Sequence, residues 1–166
     1  MPASPIDLSV TQDGLRALVR AIREEEDGRA LRRDLAKALR EAIKPYAERA
    51  SNAALAIPSR GSGTSPALRP AIAKGIKPQA DLTARRTGAR VRVRRTHNVR
   101  DFSNAPKRTQ SRRGWRTQTY GNDRWRVQFG KIGWFDDSFN GVAPQAREAI
   151  FRVMEDMARR IAERAH

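Results

Sequence analysis

Gly88-Ala89-Arg90-Val91-Arg92-Val93-Arg94 is the stretch on which the fold class turns. Before it, apolar side chains recur at helical spacing; here the repeat drops to two. Ala89, Val91 and Val93 alternate with Arg90, Arg92 and Arg94. An extended chain over Thr87–Thr96 would therefore carry one apolar and one cationic face. A strand set among helical patterns makes the expected fold class α+β.

Upstream the period is helical. Leu15, Leu18, Val19 and Ile22 predict a first helix, with Thr11 or Asp13 as its cap, after an extended arm over residues 1–10. The acidic run Glu24 to Asp27 and then Gly28 mark an end or a break. Leu31, Leu35, Ala38, Leu39, Ala42 and Ile43, then Ala47, Ala50 and Ala54, form one stripe on a second helix. Pro45 predicts a kink near Ala42, and Pro58 a stop by Ile57. Residues 58–66 read as a loop, with Ser65 and Pro66 starting a short helix to Lys74.

Downstream, residues 97–113 are polar, basic and without period, which predicts a long loop. Two further strands are expected, over Trp115–Tyr120 and Asp123–Phe129. In the second, Trp125, Val127 and Phe129 alternate with Arg124, Arg126 and Gln128. Trp134, Phe135 and Phe139 form an aromatic cluster around Asp136 and Asp137. Ala146, Ala149, Ile150, Val153, Met154, Met157 and Ile161 give the last helix its apolar face. The expected architecture is a single α+β domain over residues 11–166. It has N-terminal helices, a small antiparallel sheet with a basic loop at 97–113, and a long C-terminal helix.

Leu, Ile, Val and Phe supply 31 of 166 residues, so the core is thin and neighbours are expected to order part of the chain. Net charge is +16, but unevenly spread: residues 85–116 carry 12 basic side chains against 1 acidic. There is no cysteine, which excludes disulfides and thiolate metal sites. No run approaches the ~18 apolar residues of a membrane span, and no secretory signal is visible, so no membrane partner is expected.

The search for chemistry returns little. His97 and His166 have no second ligand at metal spacing, so neither metal nor other cofactor is expected. Gly61-Ser62-Gly63-Thr64-Ser65 lacks the lysine of a phosphate-binding loop. Asp136 and Asp137 are adjacent and suit a turn or cap. No nucleophile has a base that spacing places beside it, so the chain reads as a non-enzyme.

The basic segment has three readings: docking onto an acidic neighbour, contact with DNA phosphates, or a solvated loop. Its candidate contact residues are Arg85, Arg86, Arg90, Arg92, Arg94, Arg95, Arg108, Arg112 and Arg113. No element suits a base-reading groove contact, so any nucleic-acid binding would be independent of sequence. Trp115, Trp125 and Trp134 could stack on bases; core or interface roles are the commoner fate of such residues. With Phe135 they form the candidate subunit interface.

Three stretches resemble the small tail-completion or neck proteins of long-tailed phages, also termed head-to-tail connector or minor tail proteins. One is Ala53-Ala54-Leu55-Ala56-Ile57-Pro58, an alanine-rich helix ending in proline. Another is Gly63-Thr64-Ser65-Pro66-Ala67-Leu68-Arg69-Pro70-Ala71-Ile72, a Gly/Thr loop leading to a Leu-Arg turn. The third runs from Gly114-Trp115 through Tyr120-Gly121-Asn122-Asp123-Arg124-Trp125 to Gln128 and Gly133-Trp134-Phe135. It is similar to a pattern common in phages of actinobacteria, although Thr117-Gln118 and Ile132 depart from the usual His-Pro and Pro. The resemblance covers residues 30–165 and implies a virion protein, assembled in the bacterial host cytoplasm. It would form a homo-oligomeric, hexameric ring between connector and tail tube, with neck, connector and tail-tube proteins as partners and genomic DNA as a candidate occupant of the lumen. The alternative is a sequence-independent nucleic-acid-binding protein.

Overall fold

Charged helices with a single apolar stripe bury that stripe and leave the rest in water. The computed structural model describes residues 9–58, 68–96, 102–118 and 123–164. Helix α1 (Ser9–Glu24) buries Leu15, Val19 and Ile22. It begins ahead of Thr11, so Thr11 and Asp13 lie within its first turns and not at its cap, and Asp13 pairs with Arg16 at 3.4 Å. Of the arm expected over residues 1–10, Ser9 and Val10 belong to α1, and residues 1–8 lie outside the described residues.

The acidic run makes a tight reversal. Gly28 N–H donates to the Glu25 carbonyl at 3.0 Å, and the Asp27 carbonyl accepts from Ala30 and Leu31. A side chain at position 28 would press into the Ile22 carbonyl, so glycine is required there. Helix α2 (Gly28–Leu55) follows and ends before Pro58, as expected. It continues through Pro45 without interruption. Ile43 and Ala47 are buried on either side, and their packing offsets the roughly 3 kcal/mol that an interior proline costs.

Helix α3 (Leu68–Lys74) buries Ile72; its expected start at Ser65 and Pro66 lies outside the described residues. Strand β1 (Ile76–Asp81) pairs with β2 (Gly88–Val93) in an antiparallel two-stranded sheet. Of the three arginines expected to share a strand face, Arg90 and Arg92 lie on β2 and Arg94 just past its end; all three are exposed, while Ala89, Val91 and Val93 are partly covered.

The segment expected as one long loop is partly helical. Residues 97–101 lie outside the described residues, but Ala105–Thr109 forms α4, with Pro106 in its first turn. The Thr109 hydroxyl donates to the Ala105 carbonyl at 2.8 Å, closing that turn. Strands β3 (Trp115–Gln118) and β4 (Trp125–Gln128) form a second antiparallel pair, with Trp115 opposite Gln128 and Gln118 opposite Trp125. Helix α5 (Trp134–Asp137) and the long α6 (Ala143–Arg164) complete an α+β chain.

By packing, the chain falls into two compact units. The first combines α1, α2 up to Ala47, Pro78–Val91 and α6. Its core joins Leu15, Val19 and Ile22 to Leu31, Leu35, Leu39 and Ile43, with Leu82 and with Ile150 and Met157 of α6. Each such side chain contributes about 1.5–3 kcal/mol on burial. The second unit runs over Glu48–Lys77 and Arg92–Asn140. It buries Ala50, Ala54, Ile57, Ile72, Ile76, Ala105 and Trp134. Ser51 Oγ donates to the Ala73 carbonyl at 3.2 Å, tying α2 to α3.

Candidate functional site

In the first unit, the turn after β1 is built by Thr83 and Thr87. Thr83 N–H donates to Asp81 Oδ1 at 3.1 Å, and Thr87 Oγ1 donates to the Thr83 carbonyl at 2.7 Å. The Asp81 carboxyl is held below its ordinary value, first by hydrogen bonds from Thr83 and then by the charges of Arg90 and Arg86. Arg90 also reaches Gln79 Oε1 at 3.4 Å. This compact turn leaves Arg85, Arg86 and Arg90 exposed.

Three further arginines lie beside the end of β1. Arg29, Arg32 and Arg33 lie at i, i+3 and i+4 on the first turns of α2, and so share a helix face. With Ala36, Ala80, Asp81 and Leu82 they line a hollow of about 610 Å³. Arg32 is anchored: its guanidinium donates to the Leu82 carbonyl at 2.8 Å. Two nearby acids are engaged elsewhere, Asp34 with Arg160 at 3.1 Å and Asp27 with Arg164. Among the described residues, no carboxylate lies within 4.0 Å of Arg29, Arg33, Arg85 or Arg86. The spacing of Arg29, Arg32 and Arg33 is visible in the sequence, but nothing there separates it from the rest of a charged helix.

In the second unit, Arg92, Arg94 and Arg95 are exposed at the end of β2, and Arg94 N–H donates to the Gly75 carbonyl at 2.9 Å. Arg108 on α4 and Arg112 and Arg113 in the turn before β3 are also exposed. The four aromatic interface candidates separate. Trp134 is 1% exposed and belongs to the core, so it offers no surface to a neighbour. Phe135 is half-buried, edge-on to both Trp134 and Phe139. Trp115 is half-buried against Phe102, with ring centroids 5.5 Å apart.

Trp125 is different, at 63% exposure. The register puts Trp125 and Val127 on one face of the hairpin with Gln118 and Arg116. Phe129 and Ile132 follow in the chain and are also exposed. The alternation Trp125, Val127, Phe129 is legible in the sequence, and its apolar side meets solvent, as a candidate interface requires.

No family model, curated protein or solved structure matches this chain. Among the described residues no group of three His, Asp or Glu side chains is placed to hold a metal, and no helix is long and apolar enough to cross a membrane. His97 and His166 lie outside the described residues. The arrangement offers two surfaces, one cationic and one apolar.

Proposed function

We propose that this chain is a structural subunit of a virus particle, in the neck ring that joins head to tail in a long-tailed phage. The observation that carries the subunit reading is the bare apolar surface of β4 and the residues after it, where Trp125, Val127, Phe129 and Ile132 are all about half exposed or more. An isolated two-stranded hairpin is marginal in water, and exposed apolar surface of this kind marks an interface. A neighbouring copy in a closed ring would cover it. The neck assignment rests on the resemblance in the Gly114–Phe135 stretch and in the alanine-rich helix before Pro58. Neck, connector and tail-tube proteins are the expected neighbours.

The test is the mass of the purified protein in solution, and its incorporation into particles that lack it. A closed ring, or restoration of joined heads and tails, supports the proposal. A stable monomer that leaves such particles unjoined overturns it.

A second reading, sequence-independent nucleic-acid binding, is favoured by the exposed arginines of residues 85–113. It predicts that random duplex binds with a steep dependence on salt.

A further inference from the structure

We infer that the hollow between the first turns of α2 and the β1–β2 turn is a binding site for the phosphate backbone of duplex nucleic acid, with Arg29 and Arg33 as contacts that the basic segment alone does not supply. The site stands or falls independently of the neck assignment.

Three observations carry it. First, the donors share one wall of the hollow. Arg29, Arg32 and Arg33 come from one face of the helix and line it together with Ala80, Asp81 and Leu82 from the end of β1. Like charges at i and i+4 on a helix repel, which disfavours the cluster unless an anion relieves it. Second, the guanidinium groups that reach solvent are uncommitted. The one acid in the lining, Asp81, is engaged by Thr83 and Arg90, and Asp34 and Asp27 are held by α6. Arg32 is fixed by the Leu82 carbonyl, so it gives the hollow a preset positive wall.

Third, the lining selects among polyanions. No aromatic side chain is present in it. A protein partner would find no anchor of the kind that dominates interfaces, and single-stranded bases would find nothing to stack on. Guanidinium forks suit phosphate oxygens, and a duplex backbone repeats that anion along a line. Glu25, Glu26 and Asp27 line an adjoining hollow that shares Arg29, Arg32 and Arg33, whereas Asp81 is the one acid in the hollow on the hairpin side, so the backbone would approach from there.

The experiment is fluorescence anisotropy of a random-sequence duplex with the full chain over a range of salt. Arg29→Gln with Arg33→Gln is compared with Arg108→Gln with Arg113→Gln, and circular dichroism checks that each variant is folded. The first pair should weaken binding about tenfold or more and lower the salt slope by about two. An unchanged affinity and slope in that pair overturns the site. If only the second pair weakens binding, the hollow is overturned while nucleic-acid binding through the basic segment stands. Equal binding of polyglutamate, with the same loss on changing Arg29 and Arg33, overturns the duplex as occupant.

Discussion

Trp134 Nε1 donates to Thr109 Oγ1 at 3.1 Å, across 25 residues of sequence, and both side chains are about 1% exposed. The same hydroxyl donates to the Ala105 carbonyl, so a single atom closes α4 and holds the indole of α5. Replacing Thr109 by Val keeps the shape but leaves the indole N–H buried without an acceptor. That should cost about 1–3 kcal/mol, while Thr109→Ser should retain most of the bond. Urea unfolding of the full chain followed by tryptophan fluorescence reads both. Equal stability of the Val and wild-type chains would remove the bond from the account.

This pair also shows where sequence reading ends. An aromatic cluster at Trp134, Phe135 and Phe139 was expected, and the three rings do stack edge to face. Which of them faces inward depends on Thr109, in a segment that carries no period and read as a loop. α6 and β2 were legible because each buries one face at a fixed repeat. β1 was not: in Ile76-Lys77-Pro78-Gln79-Ala80-Asp81 the alternation rests on a proline and an alanine, both poor strand formers, so pairing with β2 must supply what local propensity does not. The cationic hollow was not legible. Arg85, Arg86 and Arg90 stood out by density but do not line it, whereas Arg29, Arg32 and Arg33 became a group of interest only with the end of β1 beside them.

Gly114 makes the β3–β4 hairpin possible. Its φ of +58° is one that side chains disfavour, and a Cβ there would meet the Gln128 carbonyl of the facing strand end. Gly114→Ala should destabilise the hairpin by more than about 1 kcal/mol, since strain and backbone clash add. Hydrogen exchange tests this locally. The amides of β3 and β4 should lose protection while those of α6 keep theirs, and unchanged hairpin protection would count against a strict glycine requirement.

Asp81 gives the chain a defined response to acid. Its folded value lies below the ordinary 3.8, chiefly through Thr83 and then Arg90 and Arg86. The stability it contributes is therefore fully present above that ordinary value and is lost as pH falls through the lower folded one. Wild type should melt above Asp81→Asn at pH 7, and the gap should close as pH falls from the ordinary value through the lower folded one. A gap that widens on acidification would contradict the assignment. The same substitution removes the one acid from the lining of the hollow, so duplex binding at pH 7 should tighten.

Trp125 and Phe129 separate folding from assembly. At 63% and 60% exposure they contribute little to their own unit, so replacing both by Ser should shift the free energy of unfolding by no more than about 0.5 kcal/mol. If a neighbouring copy covers the hairpin, the same double variant loses an aromatic anchor pair and should fall apart to monomer at concentrations where the wild type is assembled. Trp134→Phe is the opposite case: its side chain is internal, so it should lower stability without changing the mass of whatever assembly remains folded. Sedimentation of the three proteins at matched concentration decides the matter. A Trp125→Ser, Phe129→Ser chain that assembles as well as wild type would move the interface away from this hairpin, and with it the observation on which the subunit reading rests.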